Sequence, residues 1–265
     1  RGKTDQAVEA LIHCIRLTPD AEDIYYALCR IFIETKRFSE AQEVIDSMPE
    51  KVKNSLKGME FAAYTKEGLG LNAEANGLAD KMLAIDTAYA PALNLKGALA
   101  FKNSDKEKAQ VFFQKAMEAD PGYGEPYTNL GIVRWGMDRK EEAFSYLQRG
   151  FILSPTVPDI SSPYYSVAVS LGKFADVEHD FRDASRLYPN NRNLLFLLID
   201  ALIQQEQYSR AITEIECALE IFGLDDGTLN AALTIREKIG PLEIKKGEKK
   251  NTLSVCMIVK NEEKH

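Results

Sequence analysis

Apolar residues recur along this chain at the spacing of a helix face. Tyr25, Leu28, Cys29 and Phe32 fall three and four apart, and Ala41 and Ile45 continue the pattern after a polar break. Ala75, Ala79 and Met82, then Ala109, Phe113 and Ala116, then Phe181 and Ala184, then Ala211, Ile215 and Ala218 do the same. That spacing predicts a series of short amphipathic helices. The pattern itself repeats. Ala7, Ala41, Ala75, Ala109, Ala143 and Ala211 share one mark, with Val177 in the gap, and Pro19, Pro121, Pro155 and Pro189 share another; every separation is 34 or a multiple of it. A fixed period of this length means stacked supersecondary units, each burying its apolar face against a neighbour. The fold class expected is all-α, an α-solenoid of antiparallel helix pairs.

The clearest unit, 124–157, carries Tyr127, Leu130, Gly131, Ala143, Leu147, Gly150 and Pro155, and the unit before it carries Gly97, Ala109, Phe113, Ala116 and Pro121. These residues resemble the tetratricopeptide repeat (TPR), two antiparallel helices marked by an aromatic, Leu-Gly, Ala, a large apolar residue, Ala and Pro. The resemblance implies a TPR superhelix. Its phase divides the chain into a lone second helix over 1–21 and six repeats over 22–55, 56–89, 90–123, 124–157, 158–191 and 192–225. A capping helix over 226–240, amphipathic from Thr228 to Ile239, a charged linker over 241–251 and a short extended segment over 252–265 follow. Local chemistry adds detail. Pro49 is expected to stop a helix near Met48. Ser161, Ser162 and Pro163 predict a late, shortened helix starting at about Pro163. Leu11, Ile12 and Ile15, lacking a partner helix, should be partly exposed, and Gly97 and Gly131 should let paired helices approach closely.

Composition narrows the function. A formal net charge of −7 argues against a nucleic-acid surface, which needs a basic face. Cys14, Cys29, Cys217 and Cys256 are too scattered for a zinc site or a disulfide framework and read as small core or strand residues of a cytoplasmic protein. His13, His179 and His265 stand singly, so no catalytic or metal-binding histidine cluster is expected. The longest apolar run, Leu194 to Ile199, is too short to span a membrane. Because the chain opens at Arg1 inside a repeat, it is expected to be a piece of a longer protein.

The last stretch differs in kind. In TLSVCMIVKNEEKH, the β-branched and apolar residues from Leu253 to Val259 read as a buried parallel strand ending in a polar turn. It resembles the opening of family 2 glycosyltransferases with the GT-A fold, whose first strand commonly ends in a loop containing Asn-Glu. The resemblance implies that Lys260, Asn261 and Glu262 edge a nucleotide-sugar pocket in a parent enzyme that uses a nucleotide-sugar donor and a divalent metal. This piece has no D-x-D motif, so it is expected to be non-catalytic and to need no cofactor. An unpaired strand seeks a partner, which allows a homodimer through exposed ends. The alternative is a stand-alone TPR adaptor for protein assembly or self-association.

In the TPR family the first helices line a concave groove. The resemblance places Tyr26, Tyr64, Asn94, Phe101, Trp135 and Phe196 along it, with a protein or peptide as the partner. Aromatic groups there offer large contact area at little entropy cost. The same register holds Asp23, Glu34, Glu60, Glu67, Glu125, Asp159 and Asp200 against Arg30, Lys57 and Lys102, an acidic lean. The family's terminal-carboxylate clamp is not expected, because its Lys and Asn positions hold Tyr26, Glu60, Asn94 and Thr128, then Arg30, Tyr64, Ala98 and Ile132. Nor is the asparagine ladder of the O-linked N-acetylglucosamine transferase, since Asn129 alone occupies its position and Ala27, Phe61, Leu95, Pro163 and Leu197 fill the others.

Overall fold

The computed structural model describes residues 2–240, and these are all-α. The expected linker over 241–251, the extended segment over 252–265 and Cys256 lie outside the described residues. The chain falls into two compact units, Arg1–Val133 and Arg134–His265. In the first unit run α1 (Gly2–Leu17), α2 (Glu22–Glu34), α3 (Phe38–Ser47), α4 (Glu50–Lys53), α5 (Leu56–Gly68), α6 (Asn72–Ile85), α7 (Ala90–Lys102) and α8 (Lys106–Ala119). The helix α9 (Gly124–Trp135) crosses the boundary. The second unit holds α10 (Lys140–Leu153), α11 (Pro158–Leu171), α12 (Phe174–Leu187), α13 (Arg192–Gln204), α14 (Tyr208–Phe222) and α15 (Asp226–Ile239).

The 34-residue mark has a plain packing meaning. Ala41, Ala75, Ala109, Ala143, Val177 and Ala211 are each 0 % exposed, because a small side chain on the second helix lets it lie close to its neighbours. Gly97 plays the reciprocal part on α7. A Cβ at Gly97 would stand 2.5 Å from the Phe113 ring of α8, so this position can hold no side chain unless Phe113 moves. In the second unit aromatic side chains do this filling: Phe151 meets Phe181 edge-on at 4.8 Å and stacks on Tyr164 at 5.3 Å, all three fully buried.

The turn inside each helix pair is also periodic. Lys36, Gly70, Ser104, Asp138, Gly172 and Glu206 all have positive φ, between 57° and 79°. Each closes a Schellman motif. In the first, the Arg37 N–H donates to the Phe32 carbonyl while the Lys36 N–H donates to that of Ile33, and the other five follow suit. Four of these residues have a Cβ, which raises the cost of the left-handed conformation.

Several local expectations are settled here. The helix before Pro49 does end at Ser47, capped by Met48. The capping helix starts slightly earlier than Thr228, at Asp226, because Asp225 and Thr228 form a capping box. The late helix expected from Pro163 is wrong: α11 starts at Pro158 and carries Pro163 inside it. Pro158 at the first helical position needs no N–H, and starting there buries Ile160, Ser161 and Tyr164; that burial outweighs the donor lost at Pro163. The reading of the cysteines as core residues holds for Cys29 but not for Cys14 or Cys217, which are exposed free thiols. Burial pushes the Cys29 thiol up to about 12. In α1, Val8 is the buried residue, Leu11 and Ile15 pack partly against α2 and α3, and Ile12 is 38 % exposed.

Candidate functional site

In the first unit a rule governs one face of the first helices. Tyr26 on α2, Glu60 on α5 and Asn94 on α7 hold the same repeat position, and each meets the residue 29 further along, at the junction before the next first helix. The Tyr26 hydroxyl lies 2.8 Å from Ser55 Oγ, the Tyr89 hydroxyl donates to Glu60 Oε2 at 2.5 Å, and Asn94 Nδ2 donates to the Tyr123 hydroxyl at 3.4 Å. Ser55 Oγ donates to the Val52 carbonyl and accepts from the Gly58 N–H, and the single Tyr26 proton is shared between Ser55 and Glu22 Oε2, 3.2 Å away.

Around Asn94 the contacts become a network. Tyr123 donates its proton to the Glu125 carboxylate, so the Tyr64 hydroxyl, 2.9 Å away, donates to Tyr123. Asn94 Nδ2 also reaches Glu125 at 3.4 Å, and Asn129 Nδ2 donates to Asn94 Oδ1 at 2.9 Å. Burial, reinforced by the Glu125 charge, holds the Tyr64 phenol well above its ordinary value. Burial, then Tyr64 and Glu125, does the same for Tyr123. Neither phenol ionises at neutral pH. They are fixed hydrogen-bonding groups in a row that ends on a carboxylate.

The expected groove residues fare differently. Tyr64 and Asn94 are brought together through Tyr123, although Asn94, at 3 % exposure, is inside the network and not at its surface. Tyr26 stands with Phe61 instead, rings stacked at 5.6 Å, and Lys57 Nζ lies 5.2 Å from the centre of the Phe61 ring. Phe101 is half-buried on α7. In the second unit, Trp135 ends α9 half-buried, with Lys140 Nζ 6.0 Å from its ring centre, and Phe196 on α13 carries the Arg192 guanidinium 4.7 Å over its ring. Lys260, Asn261 and Glu262 lie outside the described residues.

The acidic lean is tempered by partners. Glu60 pairs with Lys57 at 2.5 Å, Glu67 with Lys102, and Asp200 accepts from the Tyr165 hydroxyl. Sequence reasoning missed Ser55, Tyr89 and Tyr123. Their signal was available: all three stand on the 34-residue grid, but at the boundary between one repeat and the next. Among the described residues no three His, Cys, Asp or Glu side chains gather where a metal could bind, and no helix is long and apolar enough to cross a membrane.

Two tetratricopeptide-repeat family models match the chain, at residues 1–57 and 90–123. In these two stretches the repeat matches the tetratricopeptide repeat. No curated protein matches the chain. Among solved structures, a thermophilic TPR protein of Thermus thermophilus is similar with a TM-score of 0.53 and 17 % identity, over 63 % of this chain and 92 % of that one. The Pseudomonas aeruginosa pilF protein is similar with a TM-score of 0.52 and 18 % identity, over 69 % and 83 %. The APC/C Cut9–Hcn1 hetero-tetramer contains a chain with a TM-score of 0.54 and 16 % identity, where the match covers 97 % of this chain and 54 % of that one. At these identities the likeness is one of fold, that of an α-solenoid.

Proposed function

We propose that the first-helix face of the first unit is a docking surface for an extended peptide segment of another protein, and that the TPR array serves as a recognition scaffold. The observation that supports this is the row formed by Tyr64, Tyr123, Glu125, Asn94 and Asn129. Its donors and acceptors are held in place before any ligand arrives, which lowers the ordering cost of binding. An extended backbone offers the alternating amides that such a row can meet, and Tyr26 on Phe61 supplies an aromatic contact.

Selection of peptides from a random display library on the purified chain tests the reading. Selected peptides should lose affinity by about tenfold or more with Asn129→Ala, which removes an amide, or Glu125→Gln, which turns an acceptor oxygen into a donor and removes the charge. Folded variants that bind the same peptides unchanged would place the binding elsewhere.

A finer reading is supported by residues 253–262 and their resemblance to the opening of a GT-A domain. In it, the repeats present an acceptor protein to a family 2 glycosyltransferase domain, tethering raises the acceptor's effective concentration, and Lys260, Asn261 and Glu262 edge the pocket for a nucleotide-sugar donor. Sequencing the native gene past the codon for His265 tests it. Alternating strands and helices with a D-x-D would support this reading; an early stop codon would leave an adaptor.

A further inference from the structure

Position 185 breaks the period of the second helices. One repeat apart stand Leu83, Met117, Phe151, Ser185 and Leu219. Phe151 at this position is 2 % exposed and fills space against Tyr164 and Phe181. Ser185 leaves the corresponding space open, and a cleft of about 380 Å³ lies between α12, α13 and α14. Its apolar floor is Leu195 and Leu198, both buried.

The rim is built of donors. Arg182, Ser185 and Arg186 line one side from α12, three and four residues apart, and Arg210 faces them from α14. Ser185 Oγ and Arg182 Nε are buried and have no hydrogen-bond partner, an arrangement that calls for an acceptor. Behind the rim, Glu178 fixes Arg182 at 2.8 Å and Arg210 at 2.7 Å while Gln205 and Gln207 donate to its other oxygen. Three guanidiniums meet three carboxylates: Glu178 behind the rim, Glu214 in the lining and Asp183 beside Arg186. Arg186 has the solvent-exposed Asp183 at 3.6 Å, a pair that water screens.

We propose that this cleft takes a segment of a partner protein in which one large apolar side chain stands next to a carboxylate. The apolar group occupies the space that Phe151 fills one repeat earlier, and the carboxylate accepts from Arg182 Nε, Ser185 Oγ and Arg186. This site does not rest on the peptide-docking reading above. Around the α13 axis Leu195 stands about 100° from Phe196 and about 140° from Asp200, and Leu198 about 160° from both, so a different side of that helix is used.

Cys217 lines the cleft as an exposed thiol, and the exposed Cys14 in the first unit is an internal control. The test follows alkylation of each cysteine by peptide mapping, with N-acetyl-Asp-Phe-amide as the probe and N-acetyl-Asn-Phe-amide beside it. Saturating aspartyl peptide should slow alkylation of Cys217 by about tenfold and leave Cys14 unchanged, and the asparaginyl peptide should do far less. Ser185→Phe should fold with the same helicity and lose the protection, because it fills the cleft from within. Arg186→Gln, a surface change, should raise the concentration needed. Equal protection by both peptides, protection that survives in folded Ser185→Phe and Arg186→Gln, or no protection at all would each overturn the proposal.

Discussion

The junction before each first helix is used in two ways. In the first unit, Tyr89 and Tyr123 reach outward to the first-helix face and bond to Glu60 and Glu125, leaving the helices behind them without a side-chain cap from these positions. Ser55 does both, accepting from the Gly58 N–H and lying 2.8 Å from the Tyr26 hydroxyl. In the second unit the junction residue serves its own helix. Asn191 accepts from the Leu194 N–H, Asp225 closes a capping box with Thr228, and at Val157 the task passes to Pro158. A tyrosine hydroxyl sits too far from its own backbone to cap, whereas Asn and Asp are short enough to cap while still meeting a neighbouring repeat, as Asn191 does at the Thr156 carbonyl and Asp225 at Arg192. One position on the grid thus serves the first-helix face, a helix start, or both. In the first unit, Pro91 and Pro126 in the first turns remove N–H groups that would otherwise need a cap.

The largest expected effect tests whether the second unit depends on its aromatic core as the first depends on small residues. Phe181→Ala removes a ring in contact with Phe151, Tyr164 and Tyr165 and should cost about 3–5 kcal/mol. Native-state hydrogen exchange should show the lost protection centred on α11 to α13; an even loss from α2 onward would make the two units one cooperative body. The converse change, Gly97→Ala, pushes a methyl into the Phe113 ring and should cost about 1–3 kcal/mol, read by urea denaturation centred on α7 and α8.

Removal of the cap in Asp225→Ala should cost about 1 kcal/mol. Its carboxyl is held below the ordinary value mainly by the Thr228 N–H, with Arg192 adding to it. A depressed carboxyl contributes stability above its unfolded value, near 3.8, that is lost as pH falls through the lower folded value. The stability gap between wild type and Asp225→Asn should therefore close as pH drops below about 4. A gap independent of acid would show that the cap's charge contributes nothing.

Of similar size is Tyr64→Phe, about 0.5–1.5 kcal/mol, since Tyr123 keeps Glu125. The phenols of Tyr64 and Tyr123 are raised above 10.0, so their contribution is complete below that pH and is lost as pH climbs through their folded values. Ultraviolet titration should find them ionising after the exposed tyrosines, and Tyr64→Phe should reduce the late step.

Helix pairs, their order and the all-α class were legible because small residues recur every 34 positions wherever two helices must lie close, and one alanine in seven chances replaced by Val177 does not hide that. The break at Pro49 was legible for the same kind of reason: a missing N–H acts locally, whatever surrounds it. The start of α11 was not, because two prolines competed for it and the winner was decided by burial of Ile160 and Tyr164 against other helices. The left-handed turns were hidden as well. Glycine marks two of them, Gly70 and Gly172, while Lys36, Ser104, Asp138 and Glu206 are carried into that conformation by the helices they join.

Of the candidate face, the sequence by itself determined which residues share a repeat position, since a fixed period makes position along the chain equivalent to position on a helix. Only the tertiary structure decided what those residues touch. Tyr64, Asn94 and Tyr123 meet across as many as 59 residues, and whether a side chain faces a partner or a neighbour depends on packing between repeats, which no single 34-residue unit contains.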